Sequence, residues 1–306
     1  MTGVVAQHFL LSAQARTLSV ATVARMSDEE AHKRFTEIRW SDNNGQPYCP
    51  HCGSVALYTY KARRIWKCIA CSKQFSVTSG TIFASRKLPV RDYLLAIALL
   101  ANCAKGMSAL QLGRDLDVQY RTAFVLCHKL REALASEMAN ETVGGTVEVD
   151  GAYVGGHIRP ANLKENRKDR RLAENQTGKR RVVVIARERQ GRTQVTVTTQ
   201  EADGVAFVAK VVRPGSVIHA DEATHWDALH GHFETMRINH SLAYSLDGAC
   251  TNQAESFLAR LRRMVDGQHH GVSPHYLYQY AKHAAWLEDI AASIMGLLQT
   301  ALSRFR

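Results

Sequence analysis

Four cysteines in two close pairs have the most specific spacing in the chain. Cys49 and Cys52 form one Cys-x-x-Cys pair, Cys68 and Cys71 form the second, and 15 residues separate the pairs. A Cys-x-x-Cys turn places two thiolates on one side of a tight knuckle, so two such turns can complete a tetrahedral zinc site. Because four thiolates leave no open position for water, we expect a single structural Zn²⁺ that folds a small zinc ribbon.

Two acidic residues stand at the ends of predicted strands. Asp150 follows the alternating Val147 and Val149, and Asp221 ends the apolar run that begins at Val217. Ligands of α/β sheets usually bind at strand ends, so both carboxylates are expected to face a cleft. The alternative is that each carboxylate caps the element that follows it.

A third carboxylate, Glu255, lies on a helix predicted over about residues 253 to 265. At 100° per residue it lies beside the apolar stripe, and Arg262 lies on the same side two turns later. Three carboxylates suit two Mg²⁺ or Mn²⁺ ions that activate a water or 3′-hydroxyl and stabilise the leaving oxygen. Glu148 shares the strand face of Asp150 and is expected to assist. An exposed surface pair of Glu255 and Arg262 is the alternative.

The positive charge of the chain is concentrated in two segments. Lys and Arg number 39 against 28 Asp and Glu, which gives a net charge of +11. Residues 61–91 hold eight basic residues and no acid, and residues 158–181 hold nine basic and three acidic residues. Localised charge favours phosphate contacts, with a solvated surface as the alternative. The predicted DNA contacts are Lys61, Arg63, Arg64, Lys67, Lys73, Arg86, Lys87 and Arg121.

The elements that must position these residues divide the chain into five parts. Residues 1–26 are expected to be a disordered tail or an extended start, with a targeting peptide as the alternative. Residues 27–87 read as a helix plus zinc ribbon, and residues 88–140 as a helix-turn-helix-like segment. Residues 145–290 interleave strands with helices, which predicts a mixed α/β domain, and residues 291–306 read as a C-terminal helical tail.

The helix-turn-helix prediction depends on two apolar faces. Residues 108–116 and about 119–134 have helical spacing, and Tyr120, Arg121 and Thr122 would begin the recognition helix. Two packed helices of any purpose would look similar. The longest uninterrupted apolar run, Leu94 to Ala101, is far shorter than a membrane span of roughly 20 residues, so we expect no transmembrane helix.

The order of the motifs resembles bacterial insertion-sequence transposases of the IS1595 family, which have an ISXO2-like catalytic domain. The resemblance covers roughly residues 27 to 289. It is carried by the two cysteine pairs and by the segments Phe75 to Phe83, Val147 to Gly156, His219 to Glu222, Thr251 to Phe257 and His269 to Ser273.

The resemblance implies a DDE-type transposase with an RNase H-like catalytic domain, an N-terminal zinc ribbon and transposon-end and target DNA as partners. By position, Asp150, Asp221 and Glu255 would hold the metal ions, and Arg262 would be the basic residue after the Glu. Some subgroups have Asn in place of the last acid, so Asn252 is retained as an auxiliary or alternative ligand. The same resemblance implies a homodimer or larger assembly at synapsis and a cytoplasmic, nucleoid-associated bacterial protein.

The closing segment departs from the family pattern. His283, Leu287 and Ile290 replace residues that are usually polar or charged there. This departure keeps open a second hypothesis, in which the protein is a catalytically decayed or regulatory DNA-binding protein that uses only the ribbon and the helix-turn-helix.

Overall fold

The computed structural model describes residues 18–156, 160–169, 172–175, 177–189, 191–239, 245, 249–289 and 301–302. The chain forms two compact units, one of residues 1–137 with 292–306 and one of residues 138–291. No helix in the described ranges is long and apolar enough to cross a membrane. The predictions for residues 1–17, for Ile290 and for most of the C-terminal tail lie outside the described residues.

The first unit begins with two capped helices. Helix α1 is Val20–Arg25, and helix α2 is Asp28–Arg39. Ser27 and Glu30 form a reciprocal capping box at the start of α2, as its Ser-x-x-Glu pattern suggests. The prediction of a loose tail up to residue 26 is wrong for its described part, because α1 packs against helix α3 (Val90–Asn102) with Val23 fully buried.

The zinc ribbon is a three-stranded antiparallel sheet. Strands β1 (Leu57–Tyr60), β2 (Ile65–Cys68) and β3 (Gln74–Ser76) pair in chain order. One face of the sheet is buried, with Trp66 and Phe75 stacked at 5.7 Å and Trp40 meeting Trp66 edge-on at 5.4 Å. These aromatic rings give a small sheet a core that its length alone could not supply.

The rest of the first unit is helical. Helices α4 (Ala109–Asp115) and α5 (Tyr120–Glu137) pack together across a tight turn. Asp117 takes a positive φ of 51°, and Gly113 leaves room for the turn, because a Cβ there would lie 3.1 Å from the Val118 oxygen and 3.5 Å from the Ala123 side chain. Both predicted helices are therefore present, with α5 beginning at Tyr120, and their role as a DNA-binding helix-turn-helix stays a prediction.

The second unit is built on a five-stranded mixed sheet with the order β6-β5-β4-β7-β8. The β5 strand is antiparallel to both neighbours, whereas β4, β7 and β8 are parallel. This arrangement is the RNase H-like order, and it confirms the predicted mixed α/β class. The strands are β4 (Thr146–Val154), β5 (Arg181–Glu188), β6 (Thr193–Thr198), β7 (Val217–Asp221) and β8 (Glu234–Ile238).

Three helices flank this sheet. Helix α6 (Gly204–Val211) covers the apolar side of β4 and β5, where Val147, Val149 and Val208 join one buried cluster. Helix α7 (Asn252–Arg263) packs on β4 and β5, and helix α8 (Leu277–Glu288) packs on β6. Alternation along β4 therefore directs Val147 and Val149 into this cluster and Glu148 and Asp150 to the opposite side.

Candidate functional site

Asp221 ends β7, whereas Asp150 lies in the middle of β4, which continues to Val154; the prediction that Asp150 ends a strand is therefore wrong. The parallel register pairs Val149 of β4 with Ala220 of β7, so the next residue on each strand is an aspartate. The Oδ1 atom of Asp150 accepts a hydrogen bond of 2.7 Å from its neighbouring backbone N–H, and that of Asp221 accepts one of 3.2 Å from Ala223. Asp221 thus forms a short turn but does not cap the helix that follows, whose N-cap is Ala223, and one further oxygen of each carboxylate can make other contacts.

The electrostatics of Asp150 show how closely the acidic groups gather. Burial raises the pKa of Asp150 to about 7, and the carboxylates of Asp221, Glu201 and Glu255 add to this rise, while the hydrogen bond from Gly151 opposes it. Like charges can share such a space only if one of them binds a proton or a cation is present. Asp150 and the three carboxylates whose charges act on it, Asp221, Glu201 and Glu255, are called the acidic locality below.

Glu201 belongs to the same acidic locality and was missed from the sequence. It lies in the 3-10 turn Glu201–Asp203 that precedes α6. Its side chain fills the space beside Gly151, where an added Cβ would lie 2.2 Å from Oε1 of Glu201. Burial raises its pKa, and the charge of Asp221 adds to the rise. The glycine after Asp150 was the only signal of this approach, and a glycine alone does not indicate which residue will occupy the space.

Glu148 holds the beginning of α7 against β4. Its side chain is fully buried, and its Oε2 atom accepts hydrogen bonds from the backbone N–H groups of Gln253 at 2.8 Å and Ala254 at 3.0 Å. These groups are among the N–H donors that a helix start leaves without partners, and the positive end of the helix dipole favours a carboxylate there. This contact fixes the first turn of α7, which carries Glu255, relative to the strand that carries Asp150.

A second set of contacts completes the surroundings of Glu148. The guanidinium of Arg189 donates to Oε1 of Glu148 at 3.0 Å and lies 2.8 Å from the sulfur of Cys250. Nδ1 of His219 accepts the backbone N–H of Cys250 at 3.2 Å, so this ring nitrogen carries no proton. Burial lowers the pKa of His219, and the charge of Arg189 lowers it further. The role of His219 is therefore to hold the segment before α7, and Nδ1 has no capacity left for a metal.

The remaining predicted residues of α7 are exposed. Asn252, Glu255 and Arg262 all lie on the solvent side of the helix, while Phe257 and Leu261 are fully buried. The basic residue of α7 that pairs with an acid is Arg260, which donates to Oε2 of Glu288 in α8 at 2.6 Å. Arg262 is consequently an exposed cation two turns beyond Glu255.

The four predicted zinc ligands converge in the ribbon. Their sulfur atoms all lie within 4.8 Å of one another, with 3.6 Å between Cys49 and Cys71 and 3.5 Å between Cys52 and Cys68. Zn–S bonds of about 2.3 Å in a tetrahedron place sulfurs about 3.8 Å apart, so the donor set fits one Zn²⁺. The backbone N–H of Cys71 lowers the pKa of Cys68 to about 6, which favours the thiolate that zinc binds. Among the described residues no other group of His, Cys, Asp or Glu converges as tightly.

The predicted DNA contacts occupy two places in the first unit. The ribbon carries Lys61, Arg63, Lys67 and Lys73, all of them exposed except Lys67, which is half-buried. Arg64 differs from these residues because its guanidinium pairs with Glu29 of α2, so part of its charge is already compensated. The other three contacts, Arg86, Lys87 and Arg121, line a cleft of about 270 Å³ between the segment after the ribbon and α5.

A cleft lies near the end of β4 in the second unit. Its volume is about 710 Å³, and its lining includes Gly155, Lys179, His270 and Ser273. The two neighbouring histidines of the motif have different roles, because His269 packs edge-on against Tyr280 at 4.7 Å, whereas His270 is exposed at a positive φ of 54°. His270 and Lys179 are the groups of this cleft that could contact a phosphate.

Comparisons with known proteins agree with these two units. Residues 26–74 match the transposase zinc-ribbon domain, and residues 142–289 match the ISXO2-like transposase domain. An uncharacterized protein in the transposable element ISH50 of Halobacterium salinarum is 23% identical over 279 residues, which cover 84% of this chain and 89% of that protein. The crystal structure of the Mos1 strand transfer complex aligns over 62% of this chain and 73% of its own, at 10% identity and a TM-score of 0.21. With a transposase ribbon and an ISXO2-like domain in the family's order, the chain belongs to the IS1595 family of insertion-sequence transposases.

Proposed function

We propose that this protein binds the ends of an insertion sequence and catalyses metal-dependent strand cleavage and transfer of the freed 3′-hydroxyl into target DNA. The observation that carries the proposal is the position of Asp150 and Asp221, each of which directly follows the last register pair of the parallel strands β4 and β7. Glu148 anchors the helix that brings Glu255 to the same acidic locality. An RNase H-like sheet in a transposase family is the context in which such a cluster performs phosphoryl transfer.

The residues fit a pair of divalent cations. Asp150, Asp221 and Glu255 supply the hard oxygen donors that Mg²⁺ and Mn²⁺ prefer, with Asn252 as an auxiliary oxygen donor. Burial raises the pKa of Asp150 to about 7 and the neighbouring carboxylates add to the rise, so a cation bound there would favour the ionised form. When bound, two such ions would activate the attacking water or 3′-hydroxyl and stabilise the leaving oxygen. Arg262 is placed to contact a phosphate beside Glu255, and Glu201 adds negative charge close to Asp150.

The chain itself positions the substrate. Exposed cations of the ribbon contact the DNA backbone, and α5 enters a groove with Tyr120 and Arg121 at its start. Arg86 and Lys87 lie beside Arg121 in one cleft, so these three side chains contact neighbouring phosphates. Strand transfer of two ends requires two sites, so we propose a homodimer or larger assembly in the synapsed state. Residues 27–87, 88–140 and 145–290 are the proposed functional domains.

A strand-transfer assay with the inverted repeats that flank the gene tests this proposal. The substitution Asp150→Asn should abolish 3′-end joining, because it removes a metal ligand but keeps the shape of the side chain. Glu222→Gln, at an exposed acid beside Asp221, is the matched control and should retain activity. Joining that survives in Asp150→Asn would refute the catalytic assignment.

The second hypothesis, a regulatory DNA-binding protein without catalysis, makes a different prediction for the same assay. It expects tight binding of the inverted repeats and no joining by the unsubstituted protein. The departures at His283 and Leu287 give it little support, because both residues are buried in α8 and Glu288 forms ion pairs with Arg260 and Arg187. Binding without joining, at any Mg²⁺ or Mn²⁺ concentration, would favour this hypothesis.

A further inference from the structure

The open face of the ribbon sheet carries two neighbouring tyrosines. The register places Tyr58 opposite Lys67 and Tyr60 opposite Ile65, so these four side chains share one face. The opposite face holds Trp66 and forms the core of the ribbon. Tyr58 is 63% exposed and Tyr60 is 42% exposed, which is unusual for adjacent aromatic residues on one face of a small sheet.

The surroundings of the two tyrosines are strongly basic. Lys67 lies beside Tyr58, Lys61 and Arg63 follow Tyr60 directly, and Lys73 precedes β3. The segment 61–91 contains no acidic residue. Because the face is basic, its binding partner is expected to be a polyanion. Because the face also exposes aromatic rings, this polyanion should offer flat apolar surfaces that can stack on them.

The shape of the face decides which nucleic acid fits. Residues two apart on a strand are about 6.8 Å apart, so the two rings stand side by side as separate platforms. The bases of a duplex are stacked inside it, and a groove admits a helix or a narrow two-stranded ribbon rather than an open three-stranded face. An unpaired strand exposes its base faces and can lay successive bases on aromatic rings while cations follow its backbone.

We infer that the open face of the ribbon, formed by Tyr58, Tyr60 and Lys67, binds single-stranded DNA by stacking of bases on the two tyrosines. The inference goes beyond the proposed function and rests on it only for the source of the strand, which would be the unpaired DNA next to a cleaved element end. The duplex is then bound by α5, and the unpaired strand by the ribbon.

The test compares two DNA probes on the full-length protein without Mg²⁺, so that no cleavage is needed. The probes are a labelled oligothymidylate about 12 nucleotides long and an inverted-repeat duplex, and affinity is measured by fluorescence anisotropy. The double substitution Tyr58→Ala and Tyr60→Ala should weaken oligothymidylate binding about tenfold or more and leave duplex binding nearly unchanged. The double substitution to Phe should bind like the original protein, because the rings are kept.

The matched control is Tyr120→Ala, which removes an exposed tyrosine at the start of α5. It should weaken duplex binding and spare oligothymidylate binding. Zinc content, measured for each variant, shows whether the ribbon is folded. Independently of any variant, a bromouridine-substituted strand irradiated on the original protein should crosslink to Tyr58 or Tyr60, as mapped by peptide mass spectrometry.

Three results would overturn the inference. One is an equal loss of duplex and oligothymidylate affinity in the alanine variant, or no loss at all. Another is crosslinking that avoids both tyrosines. The third is a change of oligomeric mass in the alanine variant with DNA binding unchanged, which would assign the face to a second copy of the chain. A protein that fails to join strands but binds oligothymidylate through these rings would refute the proposed function and leave this inference standing.

Discussion

The ribbon and the acidic locality are two candidate metal sites built in opposite ways. The four sulfurs come from two short turns within residues 49–71, and they converge to within 4.8 Å. The proposed metal-binding carboxylates come from β4, β7 and α7, which are distant in sequence, and their positions depend on the register of the strands and on the contact of Glu148 with α7. The first site is encoded locally and closed to further ligands. The second, as proposed, depends on the whole sheet.

The largest predicted effect comes from a substitution that removes the zinc site of the ribbon. The substitution Cys68→Ser should abolish zinc binding and unfold the ribbon, because structural zinc contributes roughly 10 to 16 kcal/mol of apparent binding free energy in small zinc domains. Zinc content by metal analysis and the fluorescence of Trp40 and Trp66 check this prediction. Cys103→Ser, a cysteine outside the cluster, is the control and should keep its zinc. A Cys68→Ser protein with its zinc retained would contradict the assignment of the ligands.

The next largest predicted effect tests the contact of Glu148 with α7. The substitution Glu148→Ala should lower the free energy of unfolding of the second unit by about 3 to 5 kcal/mol, because it leaves the charge of Arg189 and two helix N–H groups without their buried partner. Urea denaturation followed by circular dichroism measures the loss. Glu148→Gln keeps an acceptor oxygen and should lose less. A loss of only about 0.5 kcal/mol in the alanine variant, as for an ordinary surface substitution, would remove Glu148 from its anchoring role.

A smaller effect concerns pH. In the folded protein the pKa of Asp150 is raised by burial from 3.8 to about 7, so the folded state keeps this proton at pH values where the unfolded chain has lost it. The stabilisation is fully present below pH 3.8 and is lost as the pH rises to about 7. The difference in unfolding free energy between the original protein and Asp150→Asn should follow this decline in metal-free buffer. A difference that does not change between these pH values would contradict it.

The smallest predicted effect concerns the ion pair between Arg64 of the ribbon and Glu29 of α2. The substitution Arg64→Ala removes a partly exposed ion pair with Glu29 and should cost no more than about 1 kcal/mol. Because the Arg64 charge is already compensated, its loss should reduce the salt dependence of DNA binding less than Lys67→Ala does. Anisotropy titrations over a range of salt concentrations compare the two variants. An equal reduction in both would mean that Arg64 leaves Glu29 to contact phosphate.

The sequence predicts what is encoded locally. The zinc ligands followed from spacing alone, and the predicted strand from Val217 to Asp221 agrees with β7, whereas β4 continues past Asp150 to Val154. The approach of Glu201 could not be predicted, because it depends on how the turn before α6 lies over Gly151. The anchoring contact of Glu148 was equally hidden, since no pattern in the sequence relates a strand carboxylate to the N–H groups of a helix more than a hundred residues later. The ion pair of Arg64 with Glu29 could not be predicted either, because Glu29 lies in a different element.

The contact of Glu148 with α7 also determines when the second unit can complete its folding during synthesis. While the ribosome has not yet passed residue 254, the strand that carries Asp150 exists, but Glu148 lacks the two N–H donors that accompany its burial. A nascent or truncated chain that ends before this point cannot bury the carboxylate without a large desolvation cost. Fragments that end before α7 therefore lack the contact that stabilises the second unit, whereas the ribbon and helices α4 and α5 belong to the first unit and do not depend on it.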